Sequence, residues 1–198
     1  FKIANVLNSA GNYQKSKELY EQSIQLLTSL NFAKSITMAK ILMNYGILEK
    51  EQKNFEITDS LYSRAFIIYS LHKDEKPDGY FRILYNQANL YRTIKDYNKA
   101  IQIFLLVKKE GKPEDSYYIK AINNLAYIYR RIKRYEESEE MYLESLKFYE
   151  EKFTSNSEKY SKVCNDIGAL LKEKKDFKQA VIYFERSLDI KRKIYKSD

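Results

Sequence analysis

Basic residues and asparagines recur along this sequence at successive spacings of 42, 38 and 42 residues. With Lys120 numbered as position 2 of a repeat, positions 2 and 12 are basic in four successive repeats, and position 6 is Asn in three of them. An Asn amide offers donors and an acceptor to a peptide backbone, and Lys or Arg favours carboxylates through charge-assisted hydrogen bonds. These rows predict recognition of an extended, acidic peptide rather than catalysis. The residues expected to make the contacts, hereafter the groove residues, are Lys40, Asn44, Arg82, Asn86, Arg92, Lys120, Asn123, Asn124, Tyr127, Arg130, Lys162 and Asn165.

The groove residues have a second explanation that the sequence leaves open. Lys and Arg on a helix are commonly solvated charges, and Asn at position 6 can serve to order the surface around it. The formal net charge of +8, from 35 Lys and Arg against 27 Asp and Glu, favours acidic partners over basic ones.

Residues that could carry catalysis or hold a metal do not form a constellation. His72 is the single histidine, so it has no companion at metal-ligand spacing. The single cysteine, Cys164, falls at a core position, where it is expected to act as a small hydrophobic residue. The glutamates between residues 136 and 140 form an exposed charge run, and there is no Gly-rich phosphate loop. We therefore expect no enzymatic activity, no metal and no cofactor.

The composition narrows the class of protein and its partners. With 44% hydrophobic residues, five Gly and two Pro, the chain is too apolar for disorder. No apolar run approaches the roughly 18 residues of a membrane helix, so we expect no membrane partner. A single cysteine fits a reducing compartment, from which we expect a cytoplasmic protein. Single-stranded nucleic acid is an alternative partner, because Lys, Arg and Tyr are abundant. It ranks below a protein partner because acidic residues interrupt the basic rows.

Helix pairs with small residues placed for interlocking must position the groove residues. Position 8 holds Gly46, Ala88, Ala126 and Gly168, and position 20 holds Ser16, Thr58, Ala100, Ser138 and Ala180. Aromatic residues stand at position 17, which holds Tyr13, Phe55, Tyr97, Tyr135 and Phe177, and at position 24, which holds Tyr20, Tyr62, Phe104, Tyr142 and Phe184. At about 100° per residue, the recurring positions of the first helix cluster on one face. Large residues of one helix are therefore expected to fill the gaps left by small residues of its partner.

This pattern resembles the tetratricopeptide repeat family, most strongly from Leu84 to Asp189, and the 42-residue period is similar to that of kinesin light chain repeats. The resemblance implies an all-α solenoid, a right-handed superhelix of about five helix-turn-helix repeats. The expected repeats, in a single array, are residues 1–31, 32–77, 78–112, 113–154 and 155–198. Because the chain begins in mid-pattern without Met, we expect it to be a piece of a longer protein.

Two departures from the family pattern concern the turns and the second repeat. The turn between paired helices has Gly in the first repeat and Lys in the other four, at Gly11, Lys53, Lys95, Lys133 and Lys175. In the second repeat, Tyr45 and Glu49 stand at positions 7 and 11, where Leu and Tyr are typical, so the packing of that repeat is not predicted.

The resemblance also implies a function, that of a non-enzymatic scaffold holding a peptide or protein segment in its concave groove. A second function implied by the same resemblance is the regulatory or sensor arm of a larger bacterial signalling protein, beside a CHAT-type protease or a histidine kinase. The partner would then be another domain of the same polypeptide.

Local patterns give three further expectations. Helices are predicted to begin at Asn31 and at Gly79. Ser155 with Glu158 is typical of a capping box. In the last helix, the side formed by Val181, Phe184 and Leu188 is expected to face inward. A second apolar side is expected to receive another helix, and it is formed by Ile182, Tyr183, Ile190 and Ile194.

Overall fold

The computed structural model describes residues 1–74, 77–113, 115–152 and 157–195. Within these ranges it contains ten α-helices and no strand, which confirms the predicted all-α class. The helices are α1 (Lys2–Ser9), α2 (Tyr13–Ser29), α3 (Ile36–Glu51), α4 (Phe55–Leu71), α5 (Pro77–Thr93), α6 (Tyr97–Glu110), α7 (Ser116–Arg131), α8 (Tyr135–Lys152), α9 (Glu158–Glu173) and α10 (Phe177–Tyr195).

The start of α3 differs from the prediction. Asn31 does not begin a helix but follows the end of α2 with a φ of 60°. The helix begins at Ile36, because the Ser35 hydroxyl accepts the N–H of Met38 at 3.1 Å and so caps the first turn.

Two other helix starts also differ from expectation. α5 begins at Pro77, two residues before the predicted Gly79, and a proline is tolerated there because a first helical residue needs no N–H bond. Ser155 of the expected capping box lies outside the described residues. α9 is capped by Ser157, whose hydroxyl accepts the N–H of Tyr160 at 3.2 Å.

The helices form two compact units, Phe1–Ile103 and Phe104–Asp198, with the division inside α6. In the first unit, each helix from α1 to α5 packs on the next. In the second unit, α7 packs on α8, α8 on α9 and α9 on α10, and α7 also touches α9. Paired helices and their neighbours therefore pack in chain order, as expected of a repeat protein.

The turn inside each helix pair has one backbone geometry. Lys133 has a φ of 64°, its N–H donates to the Arg130 carbonyl at 3.0 Å, and the Arg134 N–H donates to the Tyr129 carbonyl at 2.8 Å. These two bonds form a Schellman motif, which satisfies carbonyls left over at the helix end. The same two bonds with a positive φ recur at Gly11, Lys53, Lys95 and Lys175. Lysine thus occupies a left-handed position at which glycine is the usual residue.

Replacing Lys133 with glycine is expected to raise the free energy of unfolding by up to about 1 kcal/mol. A residue with a Cβ atom pays roughly 1–2 kcal/mol to adopt the left-handed conformation, and glycine does not. Glycine, however, loses about 0.5–1 kcal/mol more conformational entropy when the chain folds. Urea unfolding measures the difference. The matched control is Lys147→Gly at an exposed site within α8, which should lose about 1 kcal/mol. A loss of stability in both variants would contradict a left-handed penalty at Lys133.

Glycine at position 8 makes room for the aromatic ring at position 24. A Cβ atom on Gly46 would lie 2.5 Å from the Tyr62 ring, and one on Gly168 would lie 2.8 Å from the Phe184 ring. Both distances are shorter than any normal carbon contact, so the ring occupies the space that the missing side chain leaves. The predicted alternation of small and large residues is therefore confirmed at these two pairs.

The small residue at position 20 also forms a hydrogen bond when it is serine. Ser16 donates to the Ala4 carbonyl and Ser138 donates to the Ala126 carbonyl, both at 2.8 Å and both buried. Each bond joins position 20 to position 8 of the paired helix. A close backbone approach is thus combined with a polar link that alanine could not make.

The second repeat packs through polar bonds that replace its missing apolar residues. Tyr45 is buried and stacks on Tyr20, with ring centres 5.5 Å apart, and its hydroxyl donates to Glu21 at 2.9 Å. Glu49 is 1% exposed and accepts a 2.6 Å hydrogen bond from Asn54 Nδ2. A tyrosine and a carboxylate can stand at these positions because neighbouring side chains supply their partners.

The orientation predicted for α10 is wrong at Val181, Leu188 and Ile190, whereas Phe184 faces Gly168 of α9 as predicted. Ile190 is buried, whereas Val181 and Leu188 are about half exposed. The reason is that α10 packs on α9 through Ala180, Ser187 and Ile190, the small residues and one branched residue of its buried side.

Candidate functional site

The basic residues at position 2 are exposed in both units. They are Lys40 of α3 and Arg82 of α5 in the first unit, and Lys120 of α7 and Lys162 of α9 in the second. Lys120 Nζ lies 4.8 Å from the ring centre of Tyr117. The other three form no ion pair with any residue that the structure describes. The charges of Lys40 and Arg82 are therefore available to a ligand, whereas Lys162 lies near the Asp166 carboxylate.

Two of the position-12 residues are bonded to the next repeat. Arg130 has a side-chain exposure of 15%, and its Nη1 donates to Glu173 Oε1 at 3.1 Å. At the equivalent place in the first unit, Asn8 Nδ2 donates to Glu51 Oε2 at 3.2 Å. A hydrogen bond from position 12 to position 13 of the following repeat thus joins two neighbouring repeats inside each unit. Arg130 therefore helps to hold two repeats together, a structural role that its sequence position did not indicate.

Arg92 and Tyr127 also contact neighbours on their own helices. Arg92 Nε donates to Asn89 Oδ1 at 3.2 Å. Tyr127 is half-buried, and the guanidinium carbon of Arg130 lies 6.0 Å from its ring centre. Both residues are held in place, which favours a preorganised surface.

The side-chain amides of the two asparagines of α7 donate hydrogen bonds to carbonyl groups of their own helix. Asn123 Nδ2 donates to the Ile119 carbonyl at 3.0 Å, and its Oδ1 accepts from the Ser145 hydroxyl at 2.7 Å. Asn124 Nδ2 donates to the Lys120 carbonyl at 2.8 Å. Asn123 therefore helps to link α7 to α8, and it is a weaker candidate for ligand contact than its position suggested.

The asparagines of the first unit differ from those of α7. Asn86 of α5 is half-buried, and its Nδ2 is buried without any hydrogen-bond partner. Asn44 of α3 is half-buried at the equivalent position, and Asn165 of α9 is exposed. The unused donor of Asn86 makes α5 the best-supported part of the predicted site.

Buried polar atoms without a hydrogen-bond partner concentrate at the same repeat positions. In the described part of the chain they are Asn8 Oδ1, Glu49 Oε1, Tyr62 Oη, Asn86 Nδ2, Arg130 Nε and Tyr142 Oη. All except the glutamate oxygen belong to positions 6, 12 or 24. A buried group without a partner costs about 1–3 kcal/mol, so a recurrent set of them suggests a ligand or ordered water as the missing partner.

The tyrosines at position 24 were predicted from the sequence only to pack, so a role for their hydroxyls was not predicted. Tyrosine stands at this position in three repeats and phenylalanine in two, and this alternation was the signal that could have found them. Burial raises the pKa of Tyr62, with a further rise from Glu51 that Arg82 opposes. The hydroxyl therefore stays protonated and remains able to donate and to accept.

The electrostatics of the second unit centre on Asp166 at position 6. Burial raises the pKa of Asp166, while the charges of Lys162 and Arg130 oppose that rise. Burial also raises the pKa of Tyr142, and the nearby Asp166 raises it further. This carboxylate already lies near two of the groove residues, so the groove residues of the second unit offer an anion less free positive charge than those of the first.

The residues considered for catalysis are placed in structural roles. Cys164 is buried, and burial raises the pKa of its thiol to about 11, which keeps it neutral. His72 ends α4, with Nε2 3.1 Å from the Lys34 carbonyl oxygen. Among the described residues, no group of three His, Cys, Asp or Glu side chains could hold a metal ion. Within the same ranges, every helix falls short of the length and apolar character needed to span a bilayer.

Two family models match parts of this chain. Both are described as tetratricopeptide repeat, and they match residues 81–109 and 117–193, together just over half of the sequence. A comparison with curated proteins finds no significant match.

Solved structures similar to this chain share its fold at low sequence identity. BtubC (BKLC) from P. vanneervenii has a TM-score of 0.81 at 16% identity, over 97% of this chain and 78% of that one. A putative kinesin light chain from Podosopora anserina with nearly identical TPR-like repeats has a TM-score of 0.82 at 12% identity, over 98% and 93%. MamA from Desulfovibrio magneticus RS-1 has a TM-score of 0.73 at 14% identity, over 97% and 93%. These likenesses show the all-α solenoid fold, as predicted.

Proposed function

The chain belongs to the tetratricopeptide repeat family, and from this premise we propose that its first unit binds an extended, acidic segment of a partner protein. The family fold suggests a protein–protein interaction scaffold, and its members are generally not enzymes. The proposal specifies the chemistry of the ligand, an acidic peptide backbone, and the residues that contact it.

The unused amide donor of Asn86 is the observation on which the proposal depends. A ligand carbonyl placed against Asn86 Nδ2 would remove the penalty of about 1–3 kcal/mol for a buried donor without a partner. In the same unit, Asn8 Oδ1 lacks a donor and Tyr62 Oη lacks any partner. An extended peptide backbone offers both carbonyls and N–H groups, so it can serve all three kinds of atom.

The acidic character of the ligand follows from the cations of the same unit. Lys40 and Arg82 are exposed and form no ion pair with a described residue. Carboxylates would form charge-assisted hydrogen bonds with them. Exposed pairs contribute little individually, about 0–1 kcal/mol, so we expect charge to select the ligand and the buried amide to supply more of the affinity.

The proposal is tested with an array of extended dodecapeptides in which Asp and Glu are replaced in turn by Asn and Gln. The double variant Arg82→Gln with Asn86→Ala should weaken binding to the acidic peptides at least tenfold, or about 1.4 kcal/mol. The matched control, Arg64→Gln with Asn98→Ala, changes the same residue types at exposed sites of α4 and α6. It should stay within twofold of the unaltered protein. Equal losses in the two variants, or equal binding of the neutral peptides, would refute the proposal.

The acidic segment can reside on a separate protein or on another domain of the same polypeptide. The second case corresponds to a regulatory arm of a larger signalling protein. Both cases use the same contacts, so the variants above apply to each.

A further inference from the structure

The second unit contains a cleft to which the groove residues contribute only Arg130. It has a volume of about 440 Å³ and lies where α7 ends, α8 begins and α9 ends. Its lining residues are Arg130, Arg131, Lys133, Tyr135 and Glu173. Three cations thus face one carboxylate.

Ion pairing leaves a positive charge inside this cleft. Arg130 is paired with Glu173, at 3.1 Å. Arg131 and Lys133 are exposed and form no ion pair with any residue of the described ranges. These two side chains account for a net charge of +2 in the cleft.

Nearby cations outside the cleft are neutralised. Arg134 Nη2 lies 2.6 Å from Glu137 Oε1, and Lys174 Nζ lies 2.6 Å from Glu139 Oε2. The same edge of the unit therefore contains two paired cations outside the cleft and two unpaired ones inside it. This contrast separates the cleft from a generally basic surface.

The backbone holds the cleft in a fixed shape. Lys133 is the left-handed residue of a Schellman motif, so its Cα position is set by two backbone hydrogen bonds. Tyr135 is half-buried, and Arg130 Nε is buried without a hydrogen-bond partner. A rigid wall lowers the conformational entropy lost when an anion binds.

We propose that this cleft binds a phosphomonoester group on a side chain of a partner protein. A phosphorylated side chain has a charge of about −1.5 to −2 near neutral pH and three acceptor oxygens, which match the two unpaired cations of the cleft. A carboxylate has one charge and two oxygens, so it would leave one cation of the cleft unpaired. The guanidinium of Arg131 can donate hydrogen bonds to two phosphate oxygens at once.

The probe is a capped glycine–phosphoserine–glycine peptide, followed by NMR shifts of the Arg131 and Lys133 amides. Saturable binding is expected with a dissociation constant of about 1 mM, a strength typical of a single small contact. The variant Arg131→Gln with Lys133→Asn should weaken it at least tenfold, and Asn is chosen because it tolerates the left-handed conformation. The matched control, Arg134→Gln with Lys174→Gln, removes two paired cations of the same edge and should stay within twofold.

Comparison ligands decide between sources of the anion. The same peptide with glutamate in place of phosphoserine should bind at least fivefold more weakly, and inorganic phosphate more weakly than the phosphopeptide. Equal loss in the two double variants, equal binding of the glutamate peptide, or no saturation at ten times the expected constant would overturn the proposal. Tighter binding of a single-stranded oligothymidylate, sensitive to the same two residues, would overturn it in favour of nucleic acid.

Discussion

Valine in place of Gly46 is expected to lower the free energy of unfolding by about 3 kcal/mol, at the upper end of the range for overpacked cores. A Cβ atom alone would lie 2.5 Å from Cε1 and 2.7 Å from Cδ1 of the Tyr62 ring, and 3.5 Å from Leu61 Cβ. The Tyr62 ring is fully buried, so it has no solvent side to move into. Because paired helices carry the groove residues, the variant should also lose peptide binding by the first unit.

A double-mutant cycle isolates the contact between Gly46 and the ring. Tyr62→Leu removes the ring that the new side chain would meet, so the two changes together should cost at least 1 kcal/mol less than the sum of the single changes, as expected for residues in contact. Urea unfolding followed by circular dichroism gives all four values. Strictly additive losses would show that Gly46 is required for some reason other than the Tyr62 ring.

The helix pairs could be predicted because their signal is repeated. Small residues at position 8 and aromatic ones at position 24 occur at the same phase in every repeat, and Gly46 with Tyr62 makes the predicted contact. The predicted start of α3 was wrong because a single side-chain hydroxyl determines where that helix begins. Ser35 caps α3 and moves its start to Ile36, and an isolated cap leaves no periodic trace in the sequence.

The candidate site could be predicted only in outline. Asn86 and Asn124 are the same residue type at the same repeat position, yet the amide of Asn124 bonds to its own helix and that of Asn86 does not. The difference depends on side-chain torsions and on neighbours from other helices, which spacing does not specify. The cleft beside Lys133 was missed for a related reason, because its charge depends on which cations find an acidic partner.

Tyr142 is a packing residue of the second unit, at position 24 of its repeat. Tyr142 is 1% exposed, and its ring is among the largest buried side chains. Truncation to alanine is expected to cost about 3–5 kcal/mol, as for other large aromatic residues in cores. It should loosen both the pairing of α8 with α7 and its packing on α9, which are contacts of the second unit.

The matched change Tyr142→Phe separates the ring from the hydroxyl. The buried hydroxyl has no hydrogen bond of normal geometry, and Arg130 is the cation that acts on it. Its removal should therefore change the free energy of unfolding by less than about 0.5 kcal/mol or increase it. Calorimetric or urea unfolding of the two variants should therefore give a large loss for alanine and almost none for phenylalanine. If phenylalanine instead costs about 1–3 kcal/mol, the hydroxyl is satisfied by ordered water in the free protein. A ligand would then have to displace that water from the second unit, whereas the Asn86 amide of the first unit would still be free to bind directly.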